Sequence, residues 1–191
     1  MKTLQKKEWL IWQVRQTVVP LVAVAVNPLV MKIRNLLPSD WDSVKSIYEK
    51  GIATDNATFQ TSAPSWEEWD SSHLGTCRVI AEENGSLLGW AALTPVSSRC
   101  VYAGVAEVSV YVHPEQSGKG IGLALLEALV TLSEAEGIWT LQTDIFPENI
   151  GSLRIHEKAG FRTLGVREKI GKQNGVWRDT VLLERRSNKI I

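Results

Sequence analysis

The stretch EVSVYVHPEQSGKGIGLALLEALV, residues 107–130, changes its period twice. Residues 107–112 alternate in the manner of a strand, Pro114 breaks the run, and Gly118, Gly120 and Gly122 follow closely. After them the apolar side chains recur at helical spacing. A strand that enters a helix through such a turn can serve either of two ends. Main-chain amides at a helix N-terminus, free of surrounding β-carbons, can wrap a phosphate or pyrophosphate. Alternatively, the glycines let a tight turn pack closely on a sheet. These residues alone leave both open.

Two familiar nucleotide motifs are excluded. There is no G-x-x-x-x-G-K-[ST], and GKGIGLAL reads G-x-G-x-G, with no acidic residue about twenty positions on at the end of a second strand. Nucleotide hydrolysis and hydride transfer therefore fall behind.

Outward from this stretch the elements alternate. KIRNL reads as a short strand, and PSDWDSVKSIYEKGI as a helix capped by Ser39 or Asp40, with Trp41, Val44, Ile47 and Tyr48 on one face. APSWEEWDSSHL reads as a second short helix. CRVIAEENGSLLGWAALTPV is a hairpin turning at Asn84-Gly85, and the last segment is a hairpin turning at Asn174-Gly175. Between them lie a helix from Gly120 to Glu136, the strand IWTLQTDIF and a helix beginning near Asn149. This order predicts an α/β (α+β mixed) sheet of about six or seven strands flanked by helices.

Composition sets the outer limits. The chain of 191 residues is 44% hydrophobic and 22% charged, sufficient for one well-buried core and marginal for two. Lys plus Arg and Asp plus Glu each total 21, which leaves no basic excess for nucleic acid. Cys77 and Cys100 form neither a C-x-x-C pair nor part of a spaced His cluster, so reduced thiols, a cytoplasmic location and no metal site are expected. The apolar run from Val18 to Val26 is interrupted by Pro20 and closed by Asn27-Pro28, too short for a bilayer span. Residues 1–30 read as a weakly structured extension, with an interface or targeting segment as alternatives, and Met31 as the start of a domain over 31–187.

A strand ending in Val-Tyr-Val, a [QR]-x-x-G-x-[GA] turn, N-x-x-S and [YH]-E-K-x-G-F together resemble the GNAT acetyltransferases. Within that family TFQTSAP, RCVYAGVAEVSVYV, GIWTLQTDIFPEN, SLRIHEKAGF and NGVWRDTVLLERR are most similar to the phosphinothricin acetyltransferase branch. The resemblance runs from Met31 to about Arg186 and departs at one slot, where Ser117 stands in the [QR] position and Gln116 one place early.

The resemblance implies acetyl-CoA as co-substrate and the α-amine of a small glutamate-like amino acid as acceptor, a detoxifying reaction. It implies a cofactor site at Val110, Tyr111, Val112, Ser117, Gly118, Lys119, Gly120, Ile121, Gly122, Asn149 and Ser152. Glu107 matches the family's base. His156 matches a position that makes it a candidate acid or second base, although a helical histidine is often only packed. Arg99 and Tyr102 match positions facing an acidic acceptor, and Phe59 closes the same pocket. The last hairpin, with Trp177, Arg178 and Asp179, resembles the part of the family fold that forms a homodimer. A GNAT enzyme acting on another amine and a non-catalytic acyl-CoA sensor remain as alternatives.

Overall fold

Both Asn-Gly pairs make the turns their sequence requires. Asn84 and Gly85 take φ of 50° and 78°, Asn174 and Gly175 take 48° and 84°, and in each hairpin both central residues therefore lie in the left-handed region. The computed structural model describes residues 31–190, and the extension expected over residues 1–30 lies outside the described residues. In chain order the elements are β1 (Lys32–Asn35), α1 (Trp41–Ile52), α2 (Trp66–Ser72), β2 (Arg78–Glu83), β3 (Ser86–Pro95), β4 (Val105–Val112), α3 (Ile121–Ala135), β5 (Thr140–Ile145), α4 (Ile150–Lys158), β6 (Arg162–Gln173) and β7 (Val176–Arg186).

They form a seven-stranded sheet in the order β1-β2-β3-β4-β5-β7-β6. Every neighbouring pair is antiparallel except β4 and β5. A parallel pair needs a crossover, and α3 provides it. The sheet is covered on both faces. Leu125, Leu126 and Leu129 of α3 are buried against Val108, Leu141 and Leu183 on one side. Val44, Ile47 and Tyr48 of α1 pack with Trp69, Ile80 and Trp90 on the other.

The cap expected for α1 takes a different form. Asp40 stands at the N-cap but makes no side-chain cap bond. Its carboxylate instead accepts from the amide of Leu37 at 2.8 Å and from both guanidinium ends of Arg34 at 2.7 and 2.9 Å. The Arg34 bonds come first among the causes that hold its pKa below the usual range. A strand residue thus anchors the start of the helix. The cap of α2 is of the regular kind: Ser65 accepts from Glu68 N at 3.2 Å while Glu68 accepts from Ser65 N at 2.9 Å.

At the far end, Glu134 of α3 clasps the chain after β7. It accepts from Lys189 at 2.7 Å, Arg185 at 3.0 Å and Ser187 at 3.1 Å. Burial opposes its ionisation, and these three bonds outweigh that cost, so its pKa lies below the usual carboxylate value. Cys77 is buried and Cys100 exposed, both as free thiols. No helix among the described residues is long and apolar enough to cross a membrane.

His73, at the end of α2, makes stability depend on pH. Its ring stacks on Trp69 at 4.0 Å, Nδ1 lies 2.7 Å from the carbonyl oxygen of Trp69, and burial first of all pushes its pKa from 6.5 down to about 4. The unfolded chain takes up a proton that the folded chain refuses. Stability is therefore complete above the unfolded pKa of 6.5 and is lost as pH falls to about 4. On the order of 2–3 kcal/mol is at stake over that window. Thermal melts should show Tm falling between pH 7 and 4.5, with a shallower slope in His73→Gln. A variant slope equal to the parent's would rule out this histidine as the source.

Candidate active site

The parallel pair opens at Glu107, the first residue of the stretch 107–130. β4 and β5 are paired at Val105↔Thr140, Ala106↔Leu141 and Glu107↔Gln142, and there the ladder stops, although β4 runs on to Val112. The carbonyl of Val108 accepts from Thr143 Oγ1 at 3.4 Å and so faces β5, whereas His113 N donates to Leu88 O at 2.8 Å and faces β3. Peptide groups alternate along a strand. The N–H groups of Val110 and Val112 therefore face the opening, past the last rung of the β4–β5 ladder. Two donors converge on a cleft between splayed strands, as stabilisation of a developing oxyanion requires.

Tyr111 stands between them on β4. Its peptide faces β3, and its ring stacks on Trp90 at 4.8 Å and meets Tyr48 edge-on at 4.8 Å. Burial raises its phenol pKa, and the side chain lines both cavities. What it offers the cleft is a ring wall and a hydroxyl.

Just beyond β4 the glycine turn leads into α3. Gly118 and Gly120 have φ of 80° and 82°, and Gly120 is the N-cap. The first bond of the helix runs from Ala124 N to Gly120 O at 3.1 Å, which leaves the amides of Ile121, Gly122 and Leu123 without helical partners. A Cβ on Gly118 or Gly120 would meet nothing within 4 Å. On Gly122 it would come within 3.0 Å of Ile155 Cδ1 and 3.4 Å of Val112 Cγ2. The two readings left open by the sequence thus divide between residues: Gly118 and Gly120 shape an open turn, and Gly122 permits close packing. Ser117 is exposed, and Lys119 donates to Gln116 Oε1 at 2.7 Å, so the residue displaced from the [QR] slot still braces the turn.

A cavity of about 300 Å³ lies in the splay and brings together Phe59, Glu107, Val110, Asn149, Ser152 and His156. Of His156 only 1% is exposed. Its Nδ1 lies 2.8 Å from Ser152 O, so Nδ1 carries the proton, and Nε2 is a bare acceptor, buried with no partner. Burial lowers its pKa. Of the two roles the sequence implied, acid or base, this tautomer fits the base. Asn149 fills the cap role, accepting from Ser152 N at 3.1 Å, while its Nδ2 donates to Asn56 O at 3.1 Å. Both ends of its amide are engaged.

A second cavity, of about 530 Å³, opens over α1 and α2 and shares Thr58, Gln60, Glu107, Ser109 and Tyr111 with the first. Glu107 therefore stands at the junction of two chambers. Its side chain is open to water at the cavity walls, yet those walls displace enough solvent to raise its pKa, and the charge of Asp144 raises it further against the pull of Arg167. Arg99 and Tyr102 line neither cavity: both are exposed on the loop between β3 and β4, with the guanidinium 5.5 Å from the tyrosine ring centre. That loop leaves the sheet at Val96 N→Val105 O, two residues beyond the Thr94↔Glu107 pair.

A carboxylate base, splayed strand amides and a helix N-terminus with open glycines, in this order along one chain, suit acyl transfer from a pyrophosphate-bearing donor. The Acetyltransferase (GNAT) family pattern matches residues 33–161. The chain belongs to the GNAT acetyltransferase family.

This acetyltransferase is 32% identical over 163 residues to the phosphinothricin N-acetyltransferase of Alcaligenes faecalis, covering 82% of each chain. It is 25% identical over 158 residues to the L-methionine sulfoximine/L-methionine sulfone acetyltransferase of Pseudomonas aeruginosa, covering 80% of this chain and 92% of that one. A phosphinothricin acetyltransferase from Sinorhizobium meliloti, solved in complex with AcCoA, superposes with a TM-score of 0.74 at 28% identity, over 82% of this chain and 88% of that one. The protein is thus an acetyl-CoA-dependent N-acetyltransferase with the mixed sheet of that family.

Asp144 and Gln173 gave no signal in the sequence, and Arg178 was singled out there only as part of the last hairpin. Asp144, on β5, lines the first cavity, accepts from Thr180 at 2.6 Å and pairs with Arg167 at 2.5 Å. Arg178 pins the segment between α1 and α2: it donates to Asp55 O at 3.0 Å and Asn56 Oδ1 at 3.3 Å and lies 4.1 Å over the ring of Phe146. Gln173 adds a bond to Thr58 O at 3.0 Å. The last hairpin thereby fixes Thr58, Phe59 and Gln60 over the cleft. The bonds to Asp55, Asn56 and Thr58 span more than a hundred residues, and no local pattern encodes them.

Proposed function

We propose that this acetyltransferase passes the acetyl group of acetyl-CoA directly to the α-amine of a small glutamate-like amino acid, of the phosphinothricin or methionine sulfoximine type. The observation that carries the reading is the position of Glu107, which opens on both chambers at the point where β4 and β5 part. One chamber suits the acyl donor and the other the amine.

The donor's chemistry is that of a thioester, an acyl carbon already activated toward amines. The open turn at Ser117 to Gly122 and the free amides of α3 hold its pyrophosphate, with the helix dipole adding to the attraction. Asn149 and Ser152 border the same chamber. Val110 and Val112 donate to the carbonyl oxygen as negative charge grows on it. Glu107, directly or through one water, takes a proton from the ammonium, which restores the nitrogen lone pair. As the C–N bond forms, the C–S bond breaks and the electron pair stays on sulfur. His156 Nε2, bare in the resting state, accepts the second amine proton and returns it to the thiolate.

Phe59 closes the cleft against Phe146, their rings 4.8 Å apart edge-to-face. Arg99 and Tyr102, on the loop between β3 and β4, hold the acceptor's α-carboxylate. A homodimer goes with this reading: β6 is the outer strand of the sheet, and its exposed Leu164, Val166 and Ile170 continue onto Val176 and Trp177. The test is an amine panel with acetyl-CoA, read by thiol release. Turnover of phosphinothricin or methionine sulfoximine well above spermidine supports the branch. CoA binding with no amine turned over would instead identify a sensor.

A further inference from the structure

The segment that borders both chambers has no backbone ladder to hold it. Residues 53–65 run between α1 and α2 without helix or strand, and among the described residues no backbone–backbone hydrogen bond reaches residues 56–64. Yet Thr58 and Gln60 line both cavities, and Phe59 lines the first. Side chains from distant parts of the chain tie this strap down. Asn149 donates to Asn56 O at 3.1 Å, Gln173 to Thr58 O at 3.0 Å and Asn174 to Asp55 Oδ1 at 3.2 Å. Gly171 lets the last hairpin approach closely, since a Cβ there would stand 2.7 Å from the ring of Phe59.

Arg178 joins most of these pieces. Its Nη1 donates to Asp55 O at 3.0 Å and to Gln173 Oε1 at 2.9 Å, and its Nη2 to Asn56 Oδ1 at 3.3 Å and Glu148 Oε2 at 3.2 Å. The guanidinium also lies 4.1 Å over the ring of Phe146, on which Phe59 packs. One planar fork therefore touches the strap, the loop between β5 and α4, and the glutamine that holds Thr58. An ammonium supplies a charge without that fork. A segment held by so few bonds opens at low cost, and a substrate that requires it closed binds more weakly in proportion to the time it stands open. We propose that Arg178 is a positioning residue, which clamps residues 55–60 onto the loop between β5 and α4 and so holds closed the wall against which the acceptor amine binds. This rests on the reading above, in which an amine enters the chamber over α1 and α2.

The experiment sets Arg178→Ala and Arg178→Lys beside the parent. Hydrogen exchange in the free protein should quicken at residues 56–62 of Arg178→Ala and stay unchanged in α3. With methionine sulfoximine as the probe, KM for the amine should rise at least about fivefold, with kcat and KM for acetyl-CoA within about twofold of the parent's, because the clamp shifts only the closed population. Arg178→Lys should stay nearer to the alanine variant than to the parent. Guanidinium chloride, added to Arg178→Ala below its unfolding range, should bring the amine KM back toward the parent's, whereas a variant that is merely unstable would lose kcat and lose more of it on that addition. Unchanged exchange at residues 56–62, or an amine KM equal to the parent's, overturns the inference. Thiol release with spermidine and with neither phosphinothricin nor methionine sulfoximine overturns the amino-acid reading instead, and the clamp is then decided on the spermidine KM by the same criteria. Thiol release with no amine at all overturns both.

Discussion

Glu107→Gln is expected to lower turnover by about 10² or more, with the Michaelis constant for acetyl-CoA little changed. The amide keeps the size and hydrogen-bonding reach of the carboxylate but takes up no proton near neutral pH. An ammonium then has no group at the junction of the two chambers to deprotonate it. The pH profile separates this from a merely structural loss. In the parent, activity falls as pH drops through the raised pKa of Glu107, because the base is lost when it is protonated. That acidic limb should vanish in Glu107→Gln. Asp144→Asn should shift it to lower pH, since removing the neighbouring negative charge lets Glu107 ionise more easily while Arg167 still favours the anion. Parent-like turnover across pH in Glu107→Gln would mean that the amine arrives already neutral.

Glu107 and His156, the proposed proton carriers, illustrate how far the sequence reaches. Glu107 was singled out by the family resemblance, since its place at the head of a strand alone fits a solvated charge, and the strand's register puts it at the last rung of the β4–β5 ladder. His156 was legible as a helical position facing inward. Its tautomer was not, because that depends on Ser152 O standing 2.8 Å from Nδ1, a fact of helix geometry and side-chain rotamer together. The strand order was legible only in part. Local period announced the elements and their hairpins, but the insertion of β7 between β5 and β6 follows from long-range pairing, such as Thr143↔Leu183.

Arg99 marks the other limit. Its residue type suits capture of a carboxylate, and its position in the chain is close to Glu107, yet it is exposed outside both cavities with its guanidinium 5.5 Å from the Tyr102 ring centre. Sequence proximity gave the right end of the strand without giving the direction of the side chain. The lining of the second chamber was less visible still. Glu68 holds the cap of α2 at Ser65 N and also lines the second cavity with Glu107.

The glycine turn, whose purpose the opening stretch left undecided, carries the second large expected effect. Gly120→Val should raise the Michaelis constant for acetyl-CoA at least about tenfold, on the scale of about 1.4 kcal/mol of lost charge-assisted hydrogen bonding. Two causes add. A β-branched residue is strained at φ 82°, so the N-terminus of α3 must turn away from its present direction, and the amides of Ile121 and Gly122 turn with it. The added side chain also projects into the open space in front of the turn, where a pyrophosphate would lie. Gly122→Ala is the control with the opposite signature. Its Cβ would press on Ile155 at 3.0 Å and Val112 at 3.4 Å, between α3, α4 and β4, so its first effect is on Tm. The two variants should therefore part company: a raised constant with a modest change in Tm for Gly120→Val, a lowered Tm with a smaller change in the constant for Gly122→Ala. A folded Gly120→Val with the parent's constant would show that the turn serves packing alone, and the anion would then have to be held by side chains such as Lys119, whose ammonium 2.7 Å from Gln116 Oε1 is the charge already at that turn.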